Sequence, residues 1–245
     1  MKKIAITIPV YNAEKTIQRC LDSILNQTYK NYVVIVFDDC STDKTWEILN
    51  RYDNPKLKIF KNQTNHGCVE NRNFLLRYCM HKIKPDYIAL QDADDWSKLE
   101  RMEKQITFLE NNPEYGLCGT QFYWHQNGSE RKVTRPETDE EIRAGYYYSS
   151  VMAHGTLMVR KEVYDDVGLY DPYFVWSHDN DWITRLLYGK KWLVRNLPEH
   201  LYHVWVTKYT ESKTPERLAY RQKNRYKRYC ECVGIEYDEK NFKLL

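Results

Sequence analysis

The sequence predicts an α/β fold: a mainly parallel central sheet with helices on both faces, followed by a helical appendage at the C-terminus. Three observations carry this. Apolar runs short enough for strands alternate with helical patterns through residues 3–109. Each of three such runs ends in a polar cluster, "PVYN", "DDCSTD" or "QDADD". From Thr214 the chain turns basic and helical in pattern, "TPERLAYRQKNRYKRYC".

The elements follow in order. "KIAITIPV" is a short apolar strand, and Glu14 to Leu25 a helix with Ile17, Leu21, Ile24 and Leu25 on its apolar side. "NYVVIVFDD" is apolar throughout, as a strand covered on both faces must be, and "STDKTWEIL" opens with residues suited to a helix N-terminus. "KLKIF" is a third strand, Val69 to Tyr78 a helix, "DYIALQD" a fourth strand, and Lys98 to Leu109 a helix. Right-handed crossovers place the C-terminal ends of such strands on one sheet edge, where open α/β sheets bind ligands. The three polar clusters therefore predict one site.

The second half is less regular. "YGLCGTQFYWH" is strand-like, "TDEE" (Thr138 to Glu141) is a capping box, and "HGTLMVRKEVYDDVG" reads as strand then helix. "HDNDWITRLLYG" is a helix with an acidic first turn; "KKWLVRN" and "LYHVWV" are two further strands. Without a low-complexity linker or repeat, residues 1–213 are expected to form one domain, and 214–245 the appendage.

Composition narrows the function. The 245 residues are 42% hydrophobic and 29% charged, those of an ordinary globular protein. A net charge of +3 is too small to imply nucleic-acid binding by the whole chain. No stretch approaches the roughly 20 apolar residues of a membrane helix, and "MKKIAITIPVYN" is too polar after Ile8 for a signal peptide. The seven cysteines are odd in number and contain no C-x-x-C pair, which predicts reduced thiols and a cytoplasmic chain.

The sharpest feature is "YIALQDADDW". Asp92, Asp94 and Asp95 crowd like charges at a strand end. A divalent cation relieves that repulsion, and Mg²⁺ or Mn²⁺ held by two carboxylates keeps positions for water and phosphate. Acids before a helix are also ordinary caps, so this cluster alone leaves both readings open.

Taken together and in this order, "IPVYN", "VFDDCSTDKT", "NHGCVENRN" and "LQDADDW" resemble the family 2 inverting glycosyltransferases with the GT-A fold. The resemblance is close over about the first hundred residues. It continues more loosely through "GTLMVRKEVYDDVGLYD" and "HDNDWITRLL". It implies a nucleotide-binding half at 1–97 and an acceptor-binding half at 98–213. Pro9, Tyr11, Asn12 and Asp39 would hold the base, uracil by preference, and Arg72 would approach the base or diphosphate. Gln91, Asp92, Asp95 and Trp96 would line the donor, with Asp94 the direct ligand of Mn²⁺ or Mg²⁺ and Asp92 beside it. His154 and His203 are candidates for a further ligand. The general base matches Asp179, with Asp181 as the alternative. His178 stands where the family usually has Glu.

Acceptor contacts are expected from Trp176 and His178, with Tyr146, Tyr147 and Tyr148 as further stacking candidates. The acceptor would be a hydroxyl-bearing glycan, lipid-linked glycan or protein. The basic appendage could face solvent, an anionic membrane surface or nucleic acid. A non-catalytic nucleotide-sugar-binding module and a transferase acting on modified nucleic acid are the alternative functions.

Overall fold

The computed structural model describes residues 1–146, 150–189, 191–206 and 215–237. Strands β1 (Ile4–Val10), β2 (Tyr32–Asp38), β3 (Leu57–Lys61) and β4 (Tyr87–Leu90) pair in parallel in the order β3-β2-β1-β4. β1, β2 and β4 are buried along almost their whole length, which is why they read as unbroken apolar runs. Side chains alternate between two cores. Ile4, Ile6 and Ile8 join Leu21 and Ile24 of α1 (Ile17–Leu25) and Met102 and Ile106 of α4 (Arg101–Asn111). Ala5, Ile35 and Phe37 meet Leu75 and Leu76 of α3 (Cys68–Tyr78) and Trp182 and Leu186 of α7 (His178–Tyr188) on the other face.

The sheet then changes character. β8 (Met158–Arg160) runs antiparallel to β4 and to β6 (Tyr115–Gln126), and β9 (Leu193–Val206) lies parallel to β6. The two predicted strands around residues 190–206 are therefore one. Pro198, which cannot donate to a ladder, falls where the register against β6 shifts at Thr120 and Gln121. Two strands escaped the sequence. β5 (Trp96–Ser97) is only two residues long and pairs with β9. β7 (Ser129–Val133) is highly exposed and forms a hairpin with β6. Asn127 and Gly128 turn that hairpin with φ of 51° and 78°, the left-handed pair a two-residue turn needs.

The short helices α2 (Thr45–Leu49) and α6 (Lys161–Val167) follow β2 and β8, and helix boundaries differ from expectation where the chain has other partners. α4 begins at Arg101 rather than Lys98, because the Lys98 N–H donates to Leu201 O on β9 at 2.9 Å. The capping box is present: the Glu141 N–H donates to Thr138 Oγ1 at 3.3 Å, and the Thr138 N–H to Glu141 Oε2 at 3.1 Å, at the start of α5 (Asp139–Tyr146). No helix among the described residues is long and apolar enough to cross a membrane.

The appendage is α8 (Pro215–Val233), packed on α7. Part of its basic stripe faces the protein and not solvent. Arg225 donates to Tyr146 O and Asn180 Oδ1, both at 2.9 Å, and Arg228 binds Asp181 and Asp171.

Candidate active site

The ends of β1 and β2 are sewn together at the sheet edge. The Asp39 N–H donates to Val10 O at 2.8 Å. The Asn12 N–H donates to Ser41 Oγ at 2.9 Å, and Asn12 Oδ1 accepts from the Thr42 N–H at 2.9 Å. Asn12 takes φ of 50°, a conformation Asn tolerates, and does not cap α1. Pro9 faces Phe37 across the ladder, and Tyr11 is left 50% exposed beside these loops.

Asp38 and Asp39 share the work of shaping the edge. Asp38 Oδ1 accepts from both the N–H and the hydroxyl of Ser41, which closes the "DDCST" turn. Asp39 organises the loop before α3. Its Oδ1 accepts from Asn62 Nδ2 at 2.7 Å and the His66 N–H at 2.9 Å, and its Oδ2 from the Gly67 N–H at 2.8 Å. A carboxylate with about four lone-pair directions keeps capacity for one further donor.

At the end of β4 the acids diverge. Asp92 accepts from Arg72 Nη2 at 2.6 Å. Its own N–H donates to the Tyr202 hydroxyl at 3.1 Å. Asp94 is half-buried, and burial followed by the Asp92 charge pushes its carboxyl up to about 6. Asp95 turns inward instead. Its Oδ1 accepts from the Trp205 N–H at 2.8 Å, and burial, then Asp94 and Asp92, hold it well above the carboxylate range. Asp95 is thus an anchor for β9 and not a donor-facing acid.

Two other predicted donor contacts also prove structural. Gln91 is fully buried and takes Ser97 Oγ at 2.8 Å and Arg101 Nη1 at 3.1 Å on its Oε1. Arg101, itself buried, also donates to Leu90 O at 3.0 Å and so fixes the segment carrying the acids. The Trp96 ring stacks on His203 at 4.6 Å, and the Arg19 guanidinium lies 3.7 Å from its centroid. Those partners occupy Trp96, and His203 meets His125 and Trp96 and does not complete a ligand set with Asp92 and Asp94.

The acidic pair is fitted for a cation. The repulsion that raises Asp94 is of the kind a divalent ion removes. The opposite wall is held close by Gly155, where a Cβ would stand 2.4 Å from the Tyr202 hydroxyl and 2.9 Å from Asp92 Oδ2. Arg72 Nε is buried with no hydrogen-bond partner, so one guanidinium N–H beside Asp92 is unspent. Gly155 and Tyr202 were not singled out in the sequence; only the juxtaposition of distant segments shows them.

Between this pair and the start of α7 lies a compact polar cluster. The His154 and Tyr170 side chains hydrogen-bond at 2.7 Å. Burial, with Arg72 adding, draws His154 well below its ordinary value. Asn73, the neighbour of Arg72, clamps Tyr170 through its N–H and its carbonyl at 3.0 and 2.8 Å. The His178 ring packs edge-on against Tyr170 at 5.4 Å and His154 at 5.9 Å. His154 is therefore committed to Tyr170 in this cluster.

Asp179 and Asp181 sit in the first turn of α7 with different surroundings. Asp179 is half-buried, accepts the Asn180 N–H at 2.8 Å, and is close enough to act on His154 and Tyr170. Asp181 is 1% exposed, with Arg185 on one oxygen at 3.0 Å and Arg228 on the other. Burial raises its carboxyl although both guanidiniums oppose the shift. Bound on both sides, Asp181 ties α7 to α8 and has both oxygens engaged.

Trp176 is 49% exposed, with Tyr220 of α8 edge-on at 5.5 Å, and lies in an apolar patch with Tyr173 and Val175 just before α7. Tyr146 cannot stack on a ligand: it is buried, with its hydroxyl on Asn180 O and Thr184. Tyr147 and Tyr148 lie outside the described residues.

Comparison with known proteins adds independent findings. The family model described as Glycosyl transferase family 2 matches residues 5–168. The chain is 34% identical over 167 residues to the putative glycosyltransferase EpsE of Bacillus subtilis (strain 168), covering 66% of this chain and 58% of that protein. It is 37% identical over 110 residues to WfaP of Escherichia coli, named a UDP-Glc:alpha-D-GlcNAc-diphosphoundecaprenol beta-1,3-glucosyltransferase, covering 45% of this chain and 42% of that one. The chain thus spans about half the length of these relatives.

Among solved structures it resembles S. aureus TarS 1-349 in complex with UDP, with a TM-score of 0.72 at 20% identity, covering 97% of this chain and 68% of that one. It also resembles the mannosyltransferase PcManGT of Pyrobaculum calidifontis in complex with GDP-Man and Mn²⁺, with a TM-score of 0.69 at 17% identity, covering 98% and 66%. The shared fold is GT-A, as the sequence predicts.

Proposed function

Because this chain belongs to glycosyl transferase family 2, we propose that it moves a sugar from a nucleotide-diphosphate donor to an acceptor hydroxyl, with inversion at the anomeric carbon. The observation that carries the proposal is a juxtaposition. The Asp92–Asp94 pair and Asp179 flank one polar cluster built from Arg72, His154, Tyr170 and His178. One side suits a charged leaving group and the other a proton acceptor.

A UDP-sugar is the donor class proposed, in keeping with the UDP-Glc in the name of WfaP and the UDP bound by TarS. Tyr11 offers its exposed ring to the base, and Asp39 the remaining capacity of its carboxylate to the base N–H. Arg72, held on Asp92 through Nη2, would bring its positive charge to the diphosphate side of the acidic pair. Mn²⁺ or Mg²⁺ held by Asp94, with Asp92 beside it, supplies Lewis-acid stabilisation of the leaving diphosphate when bound. Asp179 takes the proton of the acceptor hydroxyl as its oxygen bonds to the anomeric carbon and the bond to phosphate breaks. Asp179 lies in the first turn of α7, where the helix N-terminus is attractive to negative charge.

The acceptor proposed is a glycan or lipid-linked glycan, received on the exposed Trp176 and the neighbouring His178. On this reading residues 1–97 are the donor half and 98–213 the acceptor half, and α8 braces α7. The test is nucleotide release from a panel of UDP- and GDP-sugars with Mn²⁺ or Mg²⁺ and a mixed set of glycan acceptors. Release of UDP with an inverted product is expected. Retention of configuration, or release from no donor in the panel, would overturn the proposal.

A further inference from the structure

Beyond the acidic pair, three side chains converge where the β6–β7 hairpin meets β9. His125 on β6 stands opposite Glu130 on β7 across the hairpin. His203 on β9 is paired with Tyr123, which places it diagonally from His125 on the same face. The His125 Nε2 and His203 Nδ1 atoms are 2.9 Å apart, and His125 Nε2 lies 3.3 Å from Glu130 Oε2. One donor atom from each of the three lies within 4.8 Å of the others.

We propose that His125, Glu130 and His203 form a binding site for a borderline transition-metal ion, Zn²⁺ by its chemistry, separate from the Asp92–Asp94 pair. Zinc holds imidazole nitrogen and carboxylate oxygen at about 2.0–2.2 Å, which sets two such ligands roughly 3–3.5 Å apart. The 2.9 and 3.3 Å separations fall close to that range, and the third pair, within 4.8 Å, would be drawn in by the ion. Two imidazoles and one carboxylate leave a position for water, as open zinc sites do. The ligand set also selects: imidazole favours zinc, nickel and copper, whereas oxygen-only sets favour Mg²⁺ and Mn²⁺.

The rings are prepared for ligation. A hydrogen bond between two ring nitrogens needs one of them to accept, so one ring at least is neutral. Burial keeps His203 and His125 below the ordinary imidazole value, so their lone pairs are available near neutral pH. Arg19 and Lys98 place positive charge near His203, and Glu130 supplies the compensating negative charge. An ion here fastens the β6–β7 hairpin to β9. Through the His203–Trp96 stack it also stiffens the segment that follows Asp94.

The experiment titrates the full chain with Co²⁺ as a spectroscopic stand-in for zinc, followed by Zn²⁺ competition, in wild type, Glu130→Gln, His125→Gln and Asp94→Ala. Visible absorption saturating at one ion per chain is expected, with loss of affinity in Glu130→Gln and His125→Gln of at least the about 10-fold that outer-shell changes cost. Asp94→Ala should leave that signal intact. Glu130 is an exposed hairpin residue, so its conservative variant keeps the fold and the test remains decisive. Absence of a saturable signal in wild type would overturn the proposal. So would a signal that survives both ligand variants, or one that disappears in Asp94→Ala alone.

Discussion

Arg228 of α8 donates through its Nε to Oδ1 of Asp181 on α7, while Arg185 holds the other oxygen. The same guanidinium reaches Asp171 at 2.8 Å. The appendage thus braces the helix that carries Asp179 from a position outside the site.

Arg228→Ala leaves the buried Asp181 carboxylate half-compensated. Removal of one partner of such a pair costs about 3 kcal/mol. The expected outcome is a lower urea midpoint with reduced transfer, and only partial recovery in Arg228→Lys, which lacks the planar fork. An unchanged midpoint in Arg228→Ala would remove the brace.

Asp179 and Asp181 separate by their effects. Asp179→Asn should keep donor binding and lower transfer by about 10²–10⁴-fold, the scale of a lost general base. Asp181→Asn should lower stability while the folded fraction keeps its turnover. The reverse pattern, read from single-turnover transfer beside chemical denaturation, would reassign the base.

Gly155→Ala drives a methyl group against the Tyr202 hydroxyl and Asp92 Oδ2. Overpacking of this kind costs about 1–3 kcal/mol. Weaker metal-dependent nucleotide binding is expected with a modest fall in melting temperature. Equal affinity in calorimetry would show that the wall can give way.

The response to pH follows from Asp94, whose carboxyl is pushed up to about 6. In the metal-free protein the folded state binds this proton more tightly than the unfolded chain. Its contribution to stability is therefore greatest at low pH and is lost as pH rises through about 6. A cation needs the ionised form, so stabilisation by Mn²⁺ runs the other way, full above that value and shrinking below it. Melting temperatures with and without Mn²⁺ should diverge between about pH 5 and pH 8. The divergence should vanish in Asp94→Ala.

The parallel half of the fold was legible because β1, β2 and β4 are buried on both faces and leave unbroken apolar runs. The convergence of the polar clusters followed from handedness alone. What stayed hidden depended on partners distant in sequence. Gln91 and Asp95 look like Asp92 in sequence, but Arg101 and the Trp205 N–H claim them. Strand β5 exists only because β9 pairs with it, whereas β7 had a signal in Asn127–Gly128 that a hairpin reading could have used. The choice between Asp179 and Asp181 was partly legible too. Two positions on a helix differ by roughly 200°, so one acid facing the cluster turns the other toward α8.

The most direct test of a sugar-nucleotide site at this sheet edge is thermal unfolding with UDP, with and without Mn²⁺, in wild type and Asp94→Ala. A ligand at ~100 times its dissociation constant stabilises the folded state by about 2.7 kcal/mol, which a melting curve resolves readily. Stabilisation of wild type by UDP that requires Mn²⁺ and is lost in Asp94→Ala is the predicted result. Stabilisation that persists in Asp94→Ala, or none with UDP and Mn²⁺ together, would contradict the account.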